Sequence, residues 1–377
     1  MHRIAQVAFS GLSGASDVCA SLAVVGRAAG VSQSVAFWGT EPAVEARLER
    51  CQRAGVATTT IAKERGFFDF ASQRAVSDWA RKNSDASAFI LHYPAALFAV
   101  RKALRSMTKR PPIVAIEHHP NLLKRPHEWM LSVLLLWRGD GVVYLTEAYR
   151  KDVARRLGPL FSLRRKHTTV IGNGIELDRY QVPATEKPAG EFRIGMSGRM
   201  ASAKDYPALL RAFAAFKSAA GAPDAWLEIA GDGPMRAELE AAASSLGISD
   251  RVRFLGMMTQ ADLIPRMRSW DLFVLSTHGE TQPLALMEAM ACGLPCVATA
   301  VAGVVDVVKD GQNAILVREG DAAQMSETLL ALAKDPTRRA SLSSSAVEHA
   351  RHEFSAGRMW KDFQTFIEQR SANRYGS

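Results

Sequence analysis

Three short segments of the chain place cations, carboxylates and glycines where they can grip an anionic ligand. The first is Gly198-Arg199-Met200-Ala201-Ser202-Ala203-Lys204-Asp205, which follows an apolar run ending at Ser197 and precedes a helical pattern from Pro207. An arginine clamps two phosphate oxygens in bidentate fashion, and a lysine adds a mobile point charge. Beside a helix start, both favour anions. A pair of solvated surface cations is the alternative. The second segment, Ala230-Gly231-Asp232-Gly233-Pro234, also closes an apolar run. Gly231 and Gly233 let a backbone approach a ligand or simply turn. The third glycine of a dinucleotide fingerprint is missing.

The third segment runs from Ser276 to Pro295 and carries Glu280 and Glu288. Pro283 suits a first helical turn, Gly293 the position past a helix end, and Pro295 the stop, so a short helix is predicted from Pro283 to Ala291. The free N–H groups of the turn opening at Pro283 and Leu284 are what a diphosphate binder needs. Glu288 lies in an otherwise apolar helix, where a carboxylate is costly to bury without a hydrogen-bonding partner. Ribose or sugar hydroxyls would supply one; a neighbouring loop is the structural alternative.

Taken in order, these segments resemble the signature of glycosyltransferase family 4. Glu280 and Glu288, with seven residues between them, match that family's E-x7-E motif, and Asn173-Gly174-Ile175 resembles its Asn-Gly element at the domain junction. The likeness covers the second half well, from about Val170 to about Val317. It implies a GT-B fold, retention of anomeric configuration, and a nucleotide-diphosphate sugar as co-substrate. By the same resemblance, Arg199 and Lys204 bind the diphosphate, Glu288 the ribose and Glu280 the donor sugar. Gly198, Gly231, Gly233, Pro283 and Leu284 line the donor site. Two departures stand out: the family's Gly-Gly-x-x-Glu element is Ala302-Gly303-Val304-Val305-Asp306, and its following Asn-Gly is Asn313-Ala314.

The first half matches more weakly. The family's Gly-Gly loop after the first strand appears as Ser10-Gly11-Leu12-Ser13-Gly14-Ala15-Ser16, and Gly14 is a candidate donor contact. In Glu117-His118-His119-Pro120, one histidine is expected to approach the donor sugar. His118 is favoured, either as a neutral hydrogen-bonding group or as an imidazolium beside the leaving phosphate. His119 is then expected to serve stability. No zinc site is implied, since further ligands are not at usable spacing. No metal is required either, because Arg199, Lys204 and the helix start can offset the diphosphate charge.

Apolar runs and helical patterns alternate along the whole chain, which predicts an α/β protein with two doubly wound Rossmann-like domains and a cleft between them. Strands are expected at Arg3–Phe9, Ser34–Trp38, Ala88–His92, Ile113–Glu117 and Val142–Leu145. A second set is expected at Phe192–Ser197, Trp226–Ala230, Val252–Leu255, Leu272–Leu275, Pro295–Ala298 and Ala314–Val317. Helices are expected over Phe68–Lys82 and Leu97–Met107, among others. An acceptor-binding domain over residues 1–180 and a donor-binding domain over 190–354 follow, joined by a polar connector, Gln181–Glu191. A C-terminal helix over 355–370 is expected to pack back on the first domain.

The 377 residues are 47 % apolar and 23 % charged, with a formal charge of +9. That composition suits globular domains with full cores. The four cysteines form no CxxC, so no disulfide framework is expected. The first residues lack the long apolar region of a secretory leader, so a cytoplasmic location is expected. The most apolar stretch, Trp129–Trp137, falls short of the ~20 residues of a membrane span and reads as a buried helix. Basic clusters around Arg105 and Arg155 read either as a docking face for an anionic membrane on its inner side or as solvated surface. Nucleic acid is not expected as a partner, for want of stacking platforms or a binding signature. The activity expected is hexosyl transfer onto a glycan or lipid-linked acceptor, in cell-surface polysaccharide or glycolipid biosynthesis. The alternatives are a non-catalytic nucleotide-sugar-binding protein of the same fold and, ranked below it, a nucleic-acid binder, which only the +9 charge suggests.

Overall fold

The structure, a computed structural model, describes residues 1–64, 69–119, 121, 124–181, 183, 186 and 189–375. Phe68, Pro120 and parts of the 181–191 connector, named above, lie outside the described residues. The chain divides into two compact units, Met1–Ile175 with the C-terminal Ala356–Ser377, and Glu176–Ser355.

The first unit runs β1 (Arg3–Phe9), α1 (Gly14–Ala28), β2 (Ser32–Gly39), α2 (Glu45–Arg53), β3 (Ala57–Ala62), α3 (Phe70–Lys82), β4 (Ala88–Leu91), α4 (Ala96–Ala103), β5 (Ile113–Glu117), α5 (Pro126–Arg138), β6 (Gly141–Tyr144), α6 (Glu147–Leu157), α7 (Pro159–Arg164) and β7 (Thr168–Val170). Its strands form one parallel sheet in the order β3-β2-β1-β4-β5-β6-β7. The order reverses beside β1, the switch point at which such sheets hold ligands. Side chains alternate across the pleat. Ala36 and Trp38 of β2 join a core with Phe89, Leu97 and Leu135, while Val35 and Phe37 join another with Cys19 and Cys51 on the opposite face.

The second unit runs β8 (Phe192–Ser197), α8 (Tyr206–Ser218), β9 (Ala225–Ala230), α9 (Arg236–Ser245), β10 (Val252–Gly256), α10 (Gln260–Arg268), β11 (Leu272–Leu275), α11 (Leu284–Ala291), β12 (Cys296–Thr299), β13 (Ile315–Val317), α12 (Ala322–Lys334) and α13 (Pro336–Glu353). Its parallel order is β10-β9-β8-β11-β12-β13, with the reversal beside β8. The last helix, α14 (Ala356–Tyr375), belongs to the first unit. The Ala356 N–H donates to the Ile175 carbonyl at 2.9 Å, and the Trp360 ring lies so close to Gly26 that a Cβ there would meet it at 2.6 Å.

Two parallel, doubly wound α/β units are thus present. Three readings need correction. The division falls at Ile175, because Leu177–Tyr180 forms a 3-10 turn within the second unit, where Tyr180 is buried. Strands β3 and β7 have no counterpart in the expected set; they are the two edge strands of the sheet, and between them only Ile61 is buried. Helix α5 is not a buried helix: only Ser132, Leu135 and Leu136 are buried, while Met130 and Trp137 are exposed.

Candidate functional site

In the second unit the loops after β8 and β11 are laced together by their backbones. The Asp205 N–H donates to the Ser276 carbonyl at 3.0 Å, and the His278 N–H to the Ala203 carbonyl at 3.0 Å. Between these bonds, Lys204 and Thr277 face each other as an isolated antiparallel bridge. The lacing brings the Lys204 ammonium onto the Glu280 carboxylate as an ion pair, with the two side chains 17 % and 14 % exposed. The Thr277 hydroxyl lies 3.2 Å from the same carboxylate oxygen. Lys204 and Glu280, read separately as diphosphate and sugar contacts, therefore form one zwitterionic pair. Arg199 is different: it is exposed and has no ion-pair partner among the described residues.

The glycines serve close backbone packing. A Cβ on Gly231 would lie 2.1 Å from the Gly198 carbonyl oxygen, and one on Gly233 would lie 2.3 Å from that of Met200. The Met200 N–H donates to the Asp232 carbonyl at 2.9 Å, so the loops after β8 and β9 run backbone to backbone. Tyr206, buried at the start of α8, donates its hydroxyl to the Gly198 carbonyl at 2.8 Å. Gly303 has φ 84°, and a Cβ on it would meet the Glu280 carbonyl oxygen at 2.3 Å. The departure at 302–306 thus keeps the one glycine that lets this loop rest on the Glu280 turn, while Asp306 is exposed.

Helix α11 begins at Leu284, and Pro283 is its N-cap, extended at ψ 105°, rather than its first turn. The cap carbonyl of Pro283 already accepts from Leu286 and Met287 at 3.2 Å each. One turn on, Glu288 is half-buried. Its Oε1 accepts from the Tyr180 hydroxyl at 3.0 Å and from the Gln260 amide at 3.0 Å. Protein groups thus already provide the hydroxyl-type donor that Glu288 needs.

The remaining two site residues lie in the first unit, at the carboxyl edge of its sheet. Gly14 opens α1 behind the β1 loop. The buried Arg47 holds that loop, donating to the Ser10 and Gly11 carbonyls at 3.2 and 3.1 Å and to Asp17 at 3.0 Å. His118 follows β5 and stacks on His92, which follows β4, with rings 5.3 Å apart. Behind them runs a polar string. Gln6 donates to Gln33 at 3.1 Å, His92 Nε2 lies 3.0 Å from Gln6 Oε1, and His92 Nδ1 lies 3.2 Å from His118 Nε2. With the Gln6 amide so oriented, His92 donates through Nε2 and accepts at Nδ1, which makes His118 Nε2 the donor. Burial pushes the His118 pKa down to about 4, and that of His92 well below its ordinary value. His118 is therefore neutral near pH 7, and the imidazolium role is set aside. His119 is exposed and pairs with Glu128 at 2.8 Å, so its removal should cost little stability, contrary to expectation.

The histidine pair makes stability depend on pH. A base whose folded pKa lies below its unfolded one keeps the fold fully stable above the unfolded value and weakens it as pH falls towards the folded value. The melting temperature should therefore drop as pH falls from 6.5 to about 4. A His92→Gln, His118→Gln variant should show a flatter profile; superimposable profiles would remove the histidines from the account.

Sequence reasoning missed Thr277, Tyr180, Gln260, Tyr206, Arg47, Gln6 and His92. Thr277 sat inside the quoted segment and was reachable. Tyr206 directly follows the quoted 198–205 segment, and the others act on their partners from 26 or more positions away, without a local signal.

Comparison with known proteins finds matches for both halves of the chain. A family model described as Glycosyltransferase Family 4 matches residues 12–179, and one described as Glycosyl transferases group 1 matches residues 179–349. The two models together account for residues 12–349, so the chain is family 4-like across both halves. Among curated relatives, a D-inositol 3-phosphate glycosyltransferase of Salinispora tropica is 37 % identical over 214 residues, 51 % of this chain and 44 % of that protein. An N-acetyl-alpha-D-glucosaminyl L-malate synthase of Bacillus anthracis is 32 % identical over 142 residues, 38 % of this chain and 37 % of that protein. The chain spans about half or less of the length of these relatives. Among solved structures, the Anabaena protein HepE, in complex with UDP and glucose, superposes with a TM-score of 0.81 at 19 % identity, covering 98 % of this chain and all of that one. The chain therefore has the GT-B fold, and both of its halves match family models described as glycosyltransferases.

Proposed function

We propose that the chain transfers a hexose from a nucleoside diphosphate sugar to a hydroxyl of a glycan or lipid-linked acceptor, retaining the anomeric configuration. The reading rests on the Lys204–Glu280 pair, held on laced loops between the exposed Arg199 and the start of α11. A donor bound there meets cations and helix N–H groups at its diphosphate and a carboxylate at its sugar. The binding of UDP and glucose by HepE supports a uridine nucleotide as the first donor to try.

As the glycosidic bond breaks, its electron pair passes to the departing diphosphate. Arg199, Lys204 and the α11 N–H groups stabilise that charge without a metal. The acceptor hydroxyl attacks on the same face and yields its proton to a phosphate oxygen of the leaving group, which accounts for retention without an enzymic nucleophile. The neutral His118 keeps the implied role of hydrogen-bonding a donor-sugar hydroxyl. The carboxylate of Glu288, held by Tyr180 and Gln260, takes the ribose hydroxyls.

A panel of nucleoside diphosphate sugars screened by melting temperature, followed by NMR of the product's anomeric proton, tests the proposal. No stabilisation by any donor, or an inverted product, overturns it. Within the site, Glu288→Gln should weaken the bare nucleoside diphosphate more than Glu280→Gln does, because Glu280 bears on the sugar. Calorimetric titration of each variant with nucleotide and with full donor measures the difference, and equal losses for the bare nucleotide contradict the assignment.

A further inference from the structure

The net charge of +9 is unevenly divided. The first unit carries 29 lysines and arginines against 15 acids, a net +14, and the second carries 18 against 23, a net −5. Much of the excess falls in three stretches, residues 96–116, 129–139 and 153–175, which hold eleven cations and no Asp or Glu.

These stretches include an exposed apolar surface. On α5, Met130, Val133, Leu134 and Trp137 recur at helical spacing on one face; Met130 is 57 % and Trp137 42 % exposed, and the two between are half-buried. On α7, Leu160 and Leu163 are 45 % and 71 % exposed. The two helices are joined here, because Arg164 lies 5.8 Å from the Trp137 ring and donates to the Leu136 carbonyl at 3.1 Å. Arg101 of α4 donates to the Arg138 carbonyl at the end of α5. No salt bridge among the described residues engages Arg138, Arg164, Arg165 or Lys166. Asp140, the acid nearest Arg138 in sequence, pairs with Arg110 at 2.7 Å, and Asp152 and Glu176, the acids nearest residues 164–166, pair with Arg155 at 3.1 Å and Arg179 at 3.8 Å.

From this juxtaposition we infer that the α5–α7 face of the first unit docks on an anionic lipid bilayer. Leu163, Trp137 and Met130 enter the interface, and Arg138, Arg164, Arg165 and Lys166 meet the lipid phosphates. An apolar face rimmed with cations is the pattern of an interfacial element. Charge decides among occupants. A second copy would bring its own +14 unit to the same place and be repelled, whereas an anionic surface gains from every cation. No helix among the described residues is long and apolar enough to cross a membrane, so this contact lies at the surface.

Flotation of the full chain with phosphatidylcholine vesicles, with and without about a third phosphatidylglycerol, tests the inference. The chain should float with the anionic vesicles at low salt and be released as salt rises. Affinity should fall about tenfold or more in Trp137→Ser with Leu163→Ser, and likewise in Arg165→Glu with Lys166→Glu. Leu246→Ser, an exposed apolar change in the second unit, should leave it unchanged. Melting temperatures guard against unfolding, and Leu163→Ser alone carries the test if the double variant is unstable. Equal binding to neutral vesicles, or undiminished binding in both double variants, overturns the inference. So does a concentration-dependent dimer of the wild type that Leu163→Ser dissolves.

Discussion

Lys204→Ala should reduce transfer on the order of a hundredfold and also lower the melting temperature. Losing one charge-assisted contact to a developing phosphate charge costs about 3 kcal/mol of transition-state stabilisation. The stability cost has a separate origin. Lys204 and Glu280 are each mostly buried against one another, so removing the ammonium strands the carboxylate. Arg199→Ala separates the two effects. Arg199 is exposed and has no ion-pair partner among the described residues, so its loss should lower turnover by a similar factor with the melting temperature unchanged. Steady-state rates and thermal unfolding of both variants decide the matter. An Arg199→Ala variant with near wild-type turnover would place the diphosphate elsewhere.

Glu117→Gln should destabilise the protein by about 3–5 kcal/mol, the usual cost of breaking a buried ion pair from one side. Lys124 reaches Glu117 at 2.6 Å with side chains 2 % and 3 % exposed, and its ammonium also donates to Ser132 at 2.8 Å. Its charge lies 4.7 Å from the Trp129 ring and 5.4 Å from that of Tyr149. The other Glu117 oxygen has no hydrogen-bond partner among the described residues. The pair is thus expensive to hold and more expensive to break. Glu117→Leu combined with Lys124→Met should recover most of the loss, since an apolar pair of similar volume escapes the desolvation cost. Denaturant titrations of the single and double variants read both numbers. Glu117 directly precedes His118, and Tyr149 donates to the His119 carbonyl at 2.6 Å, so the single variant should also loosen the histidine pair.

How much of this was legible in the sequence depends on whether the signal was local. The strands buried on both faces, such as Ala88–Leu91 and Leu272–Leu275, show as short apolar runs and were placed within a residue. Strand β3, Ala-Thr-Thr-Thr-Ile-Ala, pairs on one side only and buries a single residue, so it shows no such run. Helix α5 has the composition of a core helix; that Met130 and Trp137 of its apolar stripe stay exposed is a fact of packing, which periodicity does not register. At the site, Arg199, Lys204, Glu280 and Glu288 were singled out by their place after strands. Their pairing was not legible, because Lys204 and Glu280 are 76 positions apart and meet only through the adjacency of β8 and β11. Separation in sequence likewise hid Tyr180 and Gln260, 108 and 28 positions from Glu288, and Gln6 and His92 behind His118.

The lacing of the Lys204 and Glu280 loops bears on how donor preference could be re-engineered. Two backbone bonds tie the loops, Gly303 rests on the Glu280 carbonyl, and Gly231 rests on Gly198. A foreign loop grafted after β11 alone would meet the wrong backbone contour on both sides. The transferable part is a cassette: the segments after β8, β9, β11 and β12 exchanged together, with their glycines, while the helices and strands that carry them stay in place.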